Sequence, residues 1–431
     1  MTEKKQANQM IANQKIEIIL NECPKSDCKD VLELLNPLEM KKVSKFHKSF
    51  PQYTETPLVK LDNLATRLKV KGIYVKDESY RFGLNAFKVL GGSYAIARYI
   101  AQLIGKDISE MTYEYLTSKE LRDQIGQITF FTATDGNHGR GIAWAANKLG
   151  QKSVVYMPSG SSQTRLDNIR AEGAEASIID GNYDDAVRLA AKHSEETPNS
   201  VVVQDTAWEG YEKIPSWIMQ GYGTMVTEAE NQLKNYGDTC THIFIQAGVG
   251  SLAGSVQGIY TAATLCSAKS ENKENKENKI EDIRKAPKIV VVEPHAANCH
   301  YESVKAKDYK IVTGEMSTIM AGLACGEPNT ISWELLKNYS DAFASCPEWV
   351  AADGMRILSS PLANDERIVS GESGAVGAGL LAALMQKNEY AQLRNQLGLN
   401  EDSVVLLFST EGDTDPEKYL DIVWGGEHST L

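Results

Sequence analysis

Residues 127–158 read QITFFTATDGNHGRGIAWAANKLGQKSVVYMP, and the change of period inside them decides the fold. QITFFTA is an unbroken apolar run and predicts a buried strand. NHGRGIAWAANKLG switches to a helical spacing and is closed by Gly150. KSVVYMP returns to an apolar run, ended by Pro158. A helix between two such runs joins them as parallel neighbours. The pattern continues outward: SQTRLDNIRAEG predicts a helix stopped at Gly173, EASIID a strand, YDDAVRLAAKHSEE a helix and SVVVQD a strand. Strands alternating with helices imply a parallel sheet with helices on both faces. Residues 91–205 therefore predict one small α/β domain.

A second α/β block follows. A long helix is expected near residues 216–234, then the strand THIFIQAG, a glycine-rich turn and the helix LAGSVQGIYTAATLCSA. KIVVVEP, DAFASC and SVVLLFS predict further strands, and GAVGAGLLAALM a core helix. Residues 268–287 interrupt this block with a threefold ENK repeat, charged and poor in apolar residues, which predicts a solvated insertion. The first ~50 residues are expected to be helical and to stand outside the catalytic unit. The fold class is thus α/β. It has two open, mostly parallel-sheet domains, the larger made of residues 1–90 plus 206–431.

The chain has 431 residues, with 45 Lys plus Arg against 57 Asp plus Glu, a net charge of −12. That balance argues against a nucleic-acid or anionic-membrane partner, since both require a basic face. The polar N-terminus offers no signal-peptide core, and no apolar run approaches a membrane span. Seven scattered cysteines form no CxxC and the seven histidines no HExxH. Reduced thiols, a cytoplasmic location and no metal centre are expected.

Four stretches carry chemistry. In LNAFKVLGG, Lys88 lies between Phe87 and the apolar pair Val89 and Leu90, followed by Gly91 and Gly92. Apolar surroundings favour the neutral amine that a carbonyl-reactive lysine needs; a solvent-facing lysine at a helix start is the plainer reading. In IQAGVGSLAGS, a strand runs into Gly248, Gly250 and Gly254 and then a helix, an arrangement that turns backbone N–H groups onto a phosphate. In TATDGNHGRG, Asn137 suits a helix cap or a hydrogen bond to a ring hydroxyl, and Asp135 a base or a cation binder. In LLFSTEGDTDP, Ser409 and Thr410 end a strand, where a hydroxyl can meet an uncharged ring nitrogen. A reactive lysine, a phosphate cup, a ring-hydroxyl partner and a ring-nitrogen partner together specify pyridoxal 5'-phosphate.

From about Tyr53 to Glu417 the sequence resembles the fold-type-II, tryptophan-synthase-β-like pyridoxal-phosphate enzymes. NAFKVLGG, TDGNHGRG, GVGSLAG and FSTEGDTD carry the resemblance, with Ala86 where the family usually has serine. KDESYRFGLNAFK, QDTAWEGYEKIPSWIMQGY and AGLACGEPN are most similar to the branch acting on 2,3-diaminopropionate. The resemblance implies a homodimer with the cofactor in the cleft between the domains. It implies that Lys88 carries the cofactor beside Phe87, and that Asn137 bonds the ring hydroxyl. The loop Gly248, Val249, Gly250, Ser251, Leu252 and Gly254 is implied to hold the phosphate, and Ser409 or Thr410 to meet the pyridine nitrogen. Asp135 and Asp205 match catalytic aspartates. The implied reaction is α,β-elimination to pyruvate and two ammonia. A carboxylate such as Asp135 or Asp205 suits a substrate with a β-ammonium, and dehydratases acting on a β-hydroxyl carry a small uncharged residue where Asp135 stands. The sequence ends soon after Asp415, without room for an appended regulatory domain, which leans the same way. A serine or threonine dehydratase, a β-replacement enzyme and a non-catalytic cofactor-binding protein remain the alternatives.

Overall fold

A computed structural model describes residues 14–134, 136–271 and 286–430. Eleven strands are found among them: β1 (Glu17–Leu20), β2 (Leu58–Lys60), β3 (Gly72–Asp77), β4 (Thr129–Ala133), β5 (Lys152–Met157), β6 (Glu175–Ile178), β7 (Ser200–Val202), β8 (His242–Gln246), β9 (Lys288–Pro294), β10 (Ala342–Cys346) and β11 (Val404–Ser409). The chain divides into two compact units. One contains residues 1–37, 56–79 and 225–431, the other 38–55 and 80–224. The expected boundaries at 91 and 205 fall inside the second unit.

In the first unit seven strands run in the order β1-β10-β9-β8-β11-β3-β2. The five inner strands are parallel, and β1 and β2 close the edges antiparallel. β8 and β11 are buried along their whole length, as expected of inner strands covered on both faces. Helices Glu348–Ser359 and Glu372–Gln386 cross closely, because a Cβ on Gly379 would lie 1.8 Å from the Val350 carbonyl and one on Gly354 2.1 Å from that of Ala375. They cover an apolar cluster that includes Phe244, Val290, Trp349, Leu380 and Leu407.

The second unit holds a four-stranded parallel sheet in the order β6-β5-β4-β7. Helix Asn137–Lys148 crosses from β4 to β5, and Gly150 follows it with φ +67°. Helix Tyr183–Glu196 has the expected bounds and starts on a capping box made by Asn182 and Asp185.

Three expectations are corrected. The first ~50 residues are not wholly helical: Ile16–Leu20 supplies enough apolar, β-branched surface for β1 to pair with β10 at the sheet edge. The single helix near 216–234 is two, Lys213–Gly221 and Gly223–Asn235, meeting at Tyr222. Gly221 lets the first of them touch the Leu90 carbonyl, where a Cβ would lie 2.4 Å away. Strands β2 and β3 were not expected at all. Residues 272–285, the centre of the ENK repeat, lie outside the described residues. Among the described residues no helix is long and apolar enough to cross a membrane, and none of the seven cysteines is in a disulfide.

Candidate active site

In the second unit, Lys88 stands where a short turn enters helix Val89–Ile104. Its neighbours are held by glycine contacts. A Cβ on Gly141 would lie 2.8 Å from the Val89 Cα, and one on Gly92 2.8 Å from the Ile142 side chain. Helix Asn137–Lys148 therefore seats directly on the backbone beside Lys88. Phe87 packs on Tyr222, ring centroids 4.7 Å apart.

The Lys88 Nζ lies 2.8 Å from Asp205 Oδ2. Asp205 is buried just beyond β7, and the His138 Nδ1 stands 3.9 Å from the same oxygen. The other His138 ring nitrogen is 2.9 Å from the Val203 carbonyl. Burial pushes the Asp205 carboxyl up, but the charges of Lys88 and then His138 outweigh it and hold its pKa at about 2. Apolar burial is thus only part of the lysine's surroundings, because the neighbouring carboxylate favours its ammonium form. With a folded pKa below the ordinary 3.8, Asp205 adds stability at neutral pH that is lost as pH falls through about 2.

This pair has a measurable consequence. Capture of the cofactor aldehyde needs the unprotonated lysine, which Asp205 opposes. In Asp205→Asn the pH profile for loading the cofactor-free protein is expected to shift downward by about one unit or more. Absorbance-monitored reconstitution across pH checks this; an unmoved profile would show that the pair does not control the amine.

Asn137 is the first helical residue rather than the cap. Gly136 takes the cap position, without a side-chain hydrogen bond, so capping is not the role of Asn137. Asp135 lies outside the described residues. His138 was not singled out in the sequence, although it follows Asn137 in the same motif.

In the first unit, β8 runs through Ala247 into the loop Gly248, Val249 and Gly250, and Ser251 begins the helix Ser251–Glu271. Leu252 and Gly254 lie in its first turn, which the Gly254 N–H closes onto the Gly250 carbonyl at 2.7 Å. Gly250 has φ +95°, a conformation that favours glycine, and a Cβ there would lie 2.4 Å from the His300 Nε2. The Asn329 N–H donates to the Val249 carbonyl at 2.7 Å, and its side-chain amide donates to the Ser251 hydroxyl at 2.9 Å. Behind the loop, buried Glu293 accepts from the backbone N–H groups of His300 and Tyr301 at 2.9 and 2.7 Å, and lies 2.9 Å from the His300 Nδ1. The loop is therefore braced from behind. As at any helix start, the first N–H groups have no partner within the helix, and they suit a phosphate dianion.

β11 is hydrogen-bonded to β8, which brings Ser409 and Thr410 to the same sheet end as the glycine loop. Ser409 is fully buried and donates to the Ser370 hydroxyl at 2.9 Å. Thr410 accepts from the Gln246 amide at 2.8 Å. Glu372 begins helix Glu372–Gln386.

In the first unit the glycine cradle at a helix start and the hydroxyl-bearing strand end, and in the second unit the lysine beside a buried carboxylate, are each suited to a part of pyridoxal phosphate. The comparisons agree: residues 50–410 match the model of the pyridoxal-phosphate dependent enzymes, and the chain belongs to that family. Within it, the chain is 50% identical over 399 residues to the diaminopropionate ammonia-lyase of Salmonella typhimurium, covering 92% of this chain and 94% of that protein. The crystal structure of the Escherichia coli diaminopropionate ammonia lyase in complex with D-serine superposes with a TM-score of 0.85 at 45% identity, over 97% of this chain and 99% of that one. The same E. coli enzyme in complex with an aminoacrylate-PLP azomethine reaction intermediate gives 0.83 at 45% identity, with the same coverage.

Proposed function

We propose that this chain is a pyridoxal-phosphate-dependent carbon–nitrogen lyase that converts 2,3-diaminopropionate to pyruvate and two ammonia. The observation that carries the proposal is the Lys88 Nζ held 2.8 Å from buried, ionised Asp205. Such a pair supplies both the reactive amine and a carboxylate that can receive a substrate cation. The near-50% identity to diaminopropionate ammonia-lyases supports the choice of substrate.

Pyridoxal phosphate, when bound, supplies the electron-withdrawing system that makes the α-proton of an attached amino acid removable. The chain's own residues do the rest. Lys88 would hold the cofactor through its aldehyde and, as a free amine, would take the proton at Cα from one face. Asp135 serves the other face. Asp205 exchanges its lysine partner for the substrate's β-ammonium, replacing one charge-assisted bond by another. The loop from Gly248 to Gly254 holds the phosphate, Asn137 the ring hydroxyl, and Ser409 or Thr410 the ring nitrogen.

Asp135→Asn is expected to slow the D-enantiomer by ~10²–10⁴-fold in kcat while largely sparing the L-enantiomer, as the loss of a general base would. Equal losses confined to KM on both enantiomers would reduce Asp135 to a binding group. The substrate itself is tested by kcat/KM for release of the 2-oxo acid, pyruvate from diaminopropionate and serine and 2-oxobutyrate from threonine. Diaminopropionate is expected to be preferred; faster serine or threonine turnover would return the chain to the dehydratases.

The proposal includes a cytoplasmic homodimer, which the resemblance to the family implies. Light scattering of the cofactor-loaded protein tests the dimer, and a monomer would remove it.

A further inference from the structure

The hydroxyls of Ser409 and Thr410 are adjacent, and an uncharged pyridine nitrogen needs one hydrogen-bond donor. The surrounding groups discriminate between them. Gln246, the last residue of β8, is buried, and its Nε2 lies 2.9 Å from the Phe408 carbonyl and 2.8 Å from the Thr410 Oγ1. A carbonyl oxygen only accepts, so the amide nitrogen must be the atom that faces Phe408. That nitrogen has two protons and no capacity to accept. One proton goes to Phe408, the other to Thr410, and Thr410 must accept. Its own hydroxyl proton is then left to be donated, and no acceptor for it is found among the described residues. Ser409 differs. It donates to Ser370 at 2.9 Å, and Ser370 donates in turn to the Gly371 carbonyl at 3.4 Å. Its proton is already committed along a run that ends on an acceptor.

We infer that Gln246 is a positioning residue that turns the Thr410 hydroxyl into the donor for the cofactor's pyridine nitrogen, and so keeps that nitrogen unprotonated. The inference rests on the cofactor placement proposed above. An acceptor such as a carboxylate at this position would instead favour the protonated pyridinium. Gln246 thus sets the electronic state of the cofactor without touching it.

Gln246→Glu is the sharpest variant. The oxygen replacing Nε2 carries at most one proton. If it has one, the Phe408 carbonyl takes it; if it has none, it can only accept. In both states Thr410 is made to donate to Glu, and the ring nitrogen loses its donor. Protein loaded with ring-¹⁵N pyridoxal phosphate reads this directly. The ¹⁵N signal of Gln246→Glu is expected to shift as that of Thr410→Ala does, and the double variant to shift no further. Thr410→Ser, which keeps the hydroxyl, should restore the parent signal, and Ser409→Ala should leave it in place. Gln246→Met, which removes both donors without adding an acceptor, should shift in the same sense by less and guards against misfolding of the charged variant. A signal that moves with Ser409→Ala but not with Thr410→Ala would overturn the inference, as would an unshifted signal in both Gln246 variants. Parent protein that fails to retain the cofactor would instead reject the proposed function, a separate outcome.

Discussion

Lys88→Ala is expected to lose the visible absorbance of lysine-bound cofactor and nearly all pyruvate formation. Two effects combine. The variant loses the amine that anchors the cofactor, and a base whose removal alone typically costs ~10²–10⁴-fold. It also leaves the buried Asp205 carboxylate without its lysine partner, with His138 3.9 Å away, and stranding a buried charge in this way costs up to about 3–5 kcal/mol. Lys88→Arg separates the two, because it keeps the cation beside Asp205 but cannot do the carbonyl chemistry. It should be inactive yet melt close to the parent, while Lys88→Ala should be inactive and less stable. Borohydride reduction of the parent, followed by peptide mapping, should place the cofactor on the peptide containing Lys88. Label on another lysine would move the reactive amine elsewhere.

Gly250→Asp is expected to abolish cofactor retention while leaving the β8 and β11 scaffold folded. The substitution conflicts with the site in three ways. It puts a side chain at φ +95°, its Cβ would overlap the His300 ring, and its carboxylate would repel the phosphate. Loss of charge-assisted phosphate bonding is worth on the order of 2–5 kcal/mol, roughly 30-fold to 4,000-fold in affinity. Equilibrium dialysis with pyridoxal phosphate measures it, and circular dichroism of the cofactor-free variant checks the fold. Unchanged binding would make the loop an ordinary strand–helix turn.

Much of this was legible in the sequence because it is local. The strand–helix–strand period of residues 127–158 became β4, helix Asn137–Lys148 and β5. KIVVVEP became β9 with the expected bounds. The glycines around residue 250 announced a backbone conformation that other residues rarely adopt. What the sequence hid depends on long-range contacts. Asp205 meets Lys88 across 117 positions, and no spacing rule reports such a pair. β3 was overlooked because its buried Lys76 breaks the apolar pattern; the lysine is satisfied by Glu228 at 2.7 Å, far along the chain. Gln246 offered a signal that could have been used. A single amide closing the apolar strand THIFIQ is costly to bury unless its hydrogen bonds are made, so it marks a place where something must accept and donate.

The central claim is that the leaving group is the β-amine, removed on a lysine-anchored cofactor. Reaction stoichiometry tests it most directly. Purified, cofactor-loaded protein is given a limiting amount of diaminopropionate, and pyruvate and ammonia are both measured at completion. The expected result is one pyruvate and two ammonia per substrate consumed, with neither product formed by Lys88→Ala. One ammonia per substrate without pyruvate, as replacement at Cβ would give, or turnover that survives the loss of Lys88, would contradict it.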